Sequence, residues 1–187
     1  MKKIITCILA LVSFSALQAQ TWTVDKSHSK LDFTIVHLGI SEQEGNFKNF
    51  TIKLTATKDD FSDAVIELTA DVTSIDTDNA SRDEHLRGTN YFNAAAFPSL
   101  TFKSKSFTKV SDNKYKLTGD LTIKGVTKTV DLDVTLIGST TNPKTQKRIS
   151  GFKLSGKINR IDFGVGTSSA TLSDEVTITA NIEVIKD

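Results

Sequence analysis

The strongest constraint on the fold of this chain is an alternation of apolar and polar residues that runs through most of the sequence after residue 20. Successive side chains of a β-strand point to opposite faces, so a period of two predicts strands that are apolar on one face only. Trp22 and Val24 predict a short leading strand, and Gly45 and Phe47 predict a corner after the first of the longer strands. Eight longer strands are predicted at 31–37, 50–56, 64–72, 100–106, 115–123, 130–136, 152–158 and 176–184.

Strands of this kind, joined by short connections, predict an antiparallel sheet with one apolar side. The sheet can hide that side by closing into a barrel or by stacking as a sandwich, and we favour the barrel because closure removes exposed edges. Small residues at inward positions, Gly119, Gly156, Ala70 and Ala180, would leave space inside or allow the strands to bend. An eight-stranded barrel is either filled by side chains or holds one small ligand, and the pattern alone does not decide between them.

Residues 77–98 break the alternation and predict a short helical insertion around residues 79–97. Ser81 and Glu84 have the spacing of a capping box, and Gly88 would end that helix. Asn93 would cap a second short helical turn that ends at Pro98. The insertion is expected to cover an end or a flank of the barrel.

The first 19 residues have the pattern of a secretory signal peptide, with Lys2 and Lys3 before an apolar run and small or polar residues up to Ala19. The apolar run is too short to span a bilayer. The expected domains are therefore a signal peptide, 1–19, and a single β-barrel domain, 20–187, that is periplasmic or secreted and makes no stable membrane insertion. The only cysteine, Cys7, lies in the signal peptide, which excludes disulfides and thiolate metal sites from the mature chain.

Charge and histidine content exclude several further classes of function. Without Lys2 and Lys3 the formal net charge falls from +1 to −1, so we expect no nucleic-acid partner. A three-histidine zinc site is conceivable from His28, His37 and His85, but the first two would fall on opposite faces of one strand. We therefore predict no metal and no cofactor. His37 shares the apolar face and is expected to be a hydrogen-bonded residue of the core or mouth.

The densest polar cluster, 82–87, does not have the spacing of a catalytic site. Asp83 and His85 would point in different directions on a helix, and Asp83 and Arg87 have the spacing of a surface ion pair. Arg82 is the residue of this cluster that could turn inward, towards a polar ligand head or a buried carboxylate. We predict no catalytic residue. The alternatives are a secreted enzyme that uses His85 and Arg82 on a small apolar substrate, and a structural β-domain with a filled core.

Several motifs together make the sequence resemble the YceI-like family, and the resemblance extends from Trp22 to Lys186. The sequence departs from the family pattern at Ile161, where the family usually has serine, so a hydrogen bond of that serine is in doubt here. The motifs lie at 22–29, at 33–39 around His37, at 45–47, 74–77, 82–87, 91–92, 97–98 and 101–104, and at 119–128.

The resemblance implies an exported polyisoprenoid-binding protein with a lipocalin-like, all-β barrel of eight antiparallel strands. Its function would be the non-enzymatic storage or transport of a long-chain isoprenoid lipid, such as a polyprenyl or an isoprenoid quinone, inside the barrel. The sequence leaves open which isoprenoid binds, whether the role is stress protection, and whether the chain is a homodimer. His37 and Arg82 are the candidates for the mouth. The candidates for the wall are Phe33, Ile35, Ile66, Leu68, Leu86, Phe92, Phe102, Leu117, Leu121, Leu132, Phe152 and Ile178.

Overall fold

One antiparallel sheet that closes on itself contains most of residues 19–187, the part of the chain that the computed structural model describes. The predicted signal peptide, apart from Ala19, lies outside this part, as does Cys7, so both assignments remain predictions. No helix within residues 19–187 has the length and hydrophobicity that a membrane crossing requires. The strands are β1 (Gln20–Val24), β2 (Lys30–His37), β3 (Ser41–Phe47), β4 (Phe50–Ala56), β5 (Val65–Asp71), β6 (Ile75–Asp76), β7 (Ser99–Ser111), β8 (Lys114–Ile123), β9 (Val126–Thr141), β10 (Arg148–Asn159) and β11 (Leu172–Lys186).

The hydrogen-bonded strand order closes a ring. It runs β1, β4, β5, β7, β8, β9, β10, β11 and back to β1, while β2, β3 and β6 extend the sheet from β11. Short interruptions separate β1 from β2, β3 from β4 and β5 from β6, at Lys26–His28, 48–49 and Val72–Ser74. Each of these pairs therefore acts as one bent strand. The fold is a closed barrel of eight strands in meander order, which confirms the predicted lipocalin-like architecture.

The connections alternate between the two ends of the barrel because neighbouring strands are antiparallel. The helix end carries 38–40, 77–98, 124–125 and 160–171. The far end carries 57–64, 112–113 and 142–147, together with the first residues of β1 and the last residues of β11. The two ends differ in chemistry, as described below.

The predicted helical insertion is confirmed, but its details differ from the prediction. The helix α1 (Ala80–Arg87) is capped by Asn79, whose side chain accepts a hydrogen bond of 3.0 Å from the Arg82 backbone N–H. Ser81 lies inside the helix and does not cap it, because Asn79 is in the extended conformation that a cap needs. The expected second short turn after Asn93 is present, and the Ala96 and Phe97 backbone N–H groups donate to the Asn93 carbonyl at 3.0 and 2.9 Å.

Two expectations about inward glycines are also corrected. Gly45 does not form a corner but lies within β3, opposite Phe33 on β2. A Cβ on Gly45 would lie 2.4 Å from Cζ of Phe33, so the glycine makes room for that ring. Gly119 does the same for Phe102, and Gly156 for Leu132. The space that these glycines leave is filled by neighbouring side chains and does not itself form the hollow of the barrel.

Candidate functional site

The inward faces of the strands enclose a cavity of about 480 Å³. The wall is formed mostly by aliphatic and aromatic side chains that alternate with outward polar residues, as on β8, where Leu117, Leu121 and Ile123 are buried and line the cavity. Every predicted ligand-binding residue lies along this cavity, including the mouth candidates His37 and Arg82. Their contact with a ligand remains a prediction. A cavity of this volume is within the usual range of small-molecule sites, about 300–1,000 Å³.

Polar side chains reach the cavity at the helix end. The guanidinium of Arg82 donates from Nε to Oγ1 of Thr77 (2.8 Å), from Nη2 to the Thr77 carbonyl (2.6 Å) and from Nη1 to Oε1 of Gln43 (3.0 Å). Within residues 19–187, Arg82 forms no ion pair with a carboxylate. Its three acceptor atoms are neutral, so none of these hydrogen bonds goes to a carboxylate. The prediction that Arg82 turns inward therefore agrees with the geometry, although its partner is not a buried carboxylate.

Asp83 fixes the position of Thr77, the residue to which Arg82 donates. Its carboxylate is buried and accepts hydrogen bonds from the Thr77 backbone N–H (2.9 Å) and hydroxyl (2.6 Å). The surface ion pair expected between Asp83 and Arg87 is wrong, because Asp83 faces the barrel. Thr77 in turn is the residue that Arg82 binds, so Asp83 positions the Arg82 guanidinium through Thr77.

The histidines occupy three separate places. His37 is exposed at the end of β2 beside the cavity, and among residues 19–187 its ring has no hydrogen-bond partner, so the expected hydrogen bond is wrong. His85 is exposed on α1 and packs edge-on against Tyr91, with 5.0 Å between ring centroids. It does not line the cavity. The candidate enzyme pair of His85 and Arg82 is therefore divided between the surface and the interior.

His28 lies outside β2, in the 3₁₀ helix Lys26–His28, so it does not share a strand with His37 as expected. Its Nδ1 lies 3.0 Å from Oδ2 of Asp25 and 3.9 Å from Oε1 of Glu183. The hydrogen bond and charge of Asp25 raise the pKa of His28 above its usual value. Hydrogen bonds from Ser27 and then from His28 lower the pKa of Asp25 to about 2. These three side chains, of which only His28 is exposed, do not line the cavity.

Arg160 is a residue of the cavity wall that the sequence analysis did not identify. It is buried, and its guanidinium donates to the carbonyls of Val165 (2.8 Å), Thr167 (3.0 Å) and Ser173 (2.9 Å). These bonds hold the connection 160–171 against the helix end of the barrel. In the sequence, Arg160 stands next to Ile161, the position that departs from the family pattern. Because Arg160 follows the end of a strand, the alternation of apolar and polar residues does not predict that it is buried.

The far end of the cavity is closed by aromatic side chains, of which Phe61 was also missed. Phe61 is 0% exposed, and its ring centroid lies 4.9 Å from that of Trp22 and 5.1 Å from that of Phe152. It belongs to the connection 57–64, which is otherwise mostly polar and has no alternation. The sequence feature that could have identified Phe61 is that it is the single large apolar residue in a connection with three aspartates.

Comparison with known proteins places this architecture in a family. The model of the YceI-like domain matches residues 22–184. Protein YceI of Escherichia coli O157:H7 is 36% identical over 189 residues, covering 99% of this chain and 98% of the relative. These matches span the whole barrel described above.

Solved structures give the same result for the fold. The crystal structure of Burkholderia cenocepacia BcnA superposes with a TM-score of 0.77 at 28% identity, covering 86% of this chain and 98% of that one. A polyisoprenoid binding domain of Saccharophagus degradans, implicated in plant cell wall breakdown, superposes with a TM-score of 0.64 at 12% identity, covering 89% and 98%. At that identity the second likeness concerns the fold alone. By its family match and its identity to protein YceI, the chain belongs to the YceI-like family.

Proposed function

We propose that this protein binds a long isoprenoid lipid inside its barrel and stores or transports it, without chemical conversion, in the periplasm or outside the cell. The observation that carries the proposal is the apolar cavity of about 480 Å³, with charged and amide side chains at the helix end. The family match and the polyisoprenoid binding described for the Saccharophagus degradans domain support the class of ligand.

The volume of the cavity sets how much of an isoprenoid tail it can enclose. An engineered protein cavity of about 150 Å³ binds one benzene molecule, which corresponds to about 25 Å³ for each carbon atom. By that measure a cavity of about 480 Å³ holds about 20 carbon atoms, or about four isoprene units. Burial contributes about 0.8 kcal/mol for each methylene, so a tail of this size contributes about 15 kcal/mol. That offsets the cost of association, about 4–15 kcal/mol.

The polarity of the wall sets the orientation of the lipid. The tail would lie among the aromatic and aliphatic side chains and point towards Phe61 at the far end. The polar head would lie at the helix end, within reach of Arg82. Because the guanidinium of Arg82 is held by Thr77 and Gln43 and not by a carboxylate, it is available to a phosphate or a quinone oxygen.

The alternatives fit the geometry less well. An enzyme that uses His85 and Arg82 would need both side chains at the ligand, whereas His85 lies on the outer side of α1. A structural domain with a filled core would have no cavity of this size. Binding and turnover can be separated by adding a lipid to the protein and recovering it. A lipid recovered with its chemical structure unchanged indicates binding without turnover.

The direct test is to purify the protein under native conditions, extract it with organic solvent and search the extract by mass spectrometry for prenylated molecules. The stripped protein is then titrated with geranylgeraniol. A matched pair of variants controls the location: Ala180 is buried on the cavity wall of β11, while its neighbour Asn181 is exposed on the outer face. We expect Ala180→Phe to abolish binding and Asn181→Phe to retain it. Absence of both a natural lipid and geranylgeraniol binding would refute the proposal.

A further inference from the structure

The far end of the barrel is closed by one loop, 57–64, whose single large apolar side chain points inward. Phe61 is fully buried and lines the cavity together with Ala64. Its backbone has a φ of 60°, a left-handed conformation that is an outlier for a bulky residue. Such a conformation persists only when the surrounding structure holds it.

The loop is fastened to two neighbouring strands and by a bond within itself. The Tyr115 hydroxyl of β8 donates to the Asp60 carbonyl (2.6 Å), and Arg148 of β10 donates to the Asp59 carboxylate (2.7 Å) and carbonyl (3.0 Å). Within the loop, the Asp63 carboxylate accepts from the Thr57 backbone N–H at 3.0 Å. These contacts fix the backbone on both sides of Phe61.

The ring itself is enclosed on several sides. Trp22 packs against it with 4.9 Å between centroids, Phe152 meets it nearly perpendicularly at 5.1 Å, and the guanidinium carbon of Arg148 lies 5.8 Å from its centroid. The ring is held in its position by packing on these sides. It therefore presents a rigid surface to whatever occupies the cavity.

We propose that Phe61 is an end stop that sets the longest isoprenoid tail the barrel can enclose. The inference rests on the proposed function. The tail is counted from the polar helix end, so it ends where the Phe61 ring begins, after about four isoprene units by the volume estimate above. Further units of a longer tail must remain in water at the helix end, where they add no burial. Removal of the ring frees the space of one benzene molecule, about six carbon atoms, which admits about one more isoprene unit.

The test measures affinity as a function of tail length. Farnesol, geranylgeraniol, geranylfarnesol and hexaprenol are titrated into the stripped protein by displacement of a fluorescent apolar probe. For the natural sequence we expect affinity to rise up to geranylgeraniol and then to remain level. For Phe61→Gly, chosen because glycine adopts a positive φ freely, we expect geranylfarnesol to bind at least about tenfold more tightly than geranylgeraniol.

Two further variants keep the test decisive. Ala64→Leu fills the far end and should move the plateau down to farnesol, which decides the question even where Phe61→Gly does not fold. Phe50→Ala removes a buried ring that does not line the cavity and should leave the plateau in place. Prenyl alcohols that bind with the same length dependence in all these proteins would refute the end stop and leave the proposed function standing. Failure of every alcohol to bind the natural sequence would refute the proposed function instead.

Discussion

Gly119 of β8 gives the sharpest test of how the barrel wall is packed. It is buried and faces inward, and a Cβ built on it would lie 2.3 Å from Cζ of Phe102 and 2.6 Å from the Lys103 carbonyl oxygen. Neither distance is compatible with a real methyl group. The Phe102 ring lines the cavity, and the carbonyl belongs to β7, which pairs with β8. Gly119→Ala must therefore displace both.

The magnitude follows from two opposing terms. Overpacking of a close-packed wall costs about 1–3 kcal/mol, while replacing glycine by alanine stabilises by about 0.4–1 kcal/mol through the unfolded chain. The net loss in the free energy of unfolding lies between about 0 and 2.6 kcal/mol, and its central value of about 1.3 kcal/mol corresponds to a fall in Tm of about 3–5 °C for a domain of this size. Gly138→Ala in β9 is the matched control, because nothing lies within 4 Å of a Cβ there. It should be neutral or raise Tm by a few degrees.

The assay is urea unfolding of both variants, followed by circular dichroism and by the fluorescence of Trp22, the only tryptophan. Equal m-values would show that the difference is one of stability and not of the unfolded state. If Gly119→Ala proved as stable as Gly138→Ala, the Phe102 ring would not be confined by Gly119, and the packing argument would be wrong.

Three other outcomes are expected. Asp83→Asn should lower the free energy of unfolding by about 1–3 kcal/mol, because a neutral amide replaces the carboxylate that holds Thr77; urea unfolding that matches the natural sequence would contradict this. Arg160→Lys should destabilise by about 3 kcal/mol, because lysine cannot reproduce the guanidinium fork, and hydrogen exchange should accelerate first in 160–171. Since Asp25 raises the pKa of His28, protonated His28 stabilises the fold below the unfolded pKa of about 6.5, and this contribution disappears as the pH rises through the folded pKa. The stability difference between the natural sequence and His28→Ala should vanish at high pH, and an NMR titration of Asp25→Asn should show the pKa of His28 returning towards 6.5.

The alternation was sufficient to predict the barrel strands because each of them has water on one side and the cavity or core on the other. It failed for β3, whose inward positions are Gln43, Gly45 and Phe47. A polar residue at the mouth and a glycine beneath a ring do not appear as an apolar stripe. The same local reasoning chose Ser81 over Asn79 as the helix cap, because two suitable cap residues two positions apart cannot be distinguished by residue type alone.

Within the candidate site, residues on strands could be predicted from the sequence and residues in connections could not. Wall residues such as Leu117 could be predicted because the inward face of a strand is also the cavity wall. Phe61 and Arg160 could not, since both lie in connections, where direction is set by contacts distant in sequence. Phe61 is directed by Trp22 and Arg148, and Arg160 by the carbonyls of the connection that follows it. Periodicity contains no information about such contacts.

The ring of strands is complete at the far end, but at the helix end the sheet stops at β6, which has no further strand neighbour within residues 19–187. The open margin of the sheet is formed there by Ile75 and Asp76 of β6 and by residues 41–45 of β3, which pair with β2 on one side only. Asp76 is ion-paired to Lys48, and α1 packs against β6. The β6 part of this margin is short, charged and covered by α1, so it offers no ladder to a strand of another molecule. The β3 part carries the exposed carboxylates of Glu42 and Glu44, and charged side chains of this kind disfavour pairing with a strand of another molecule.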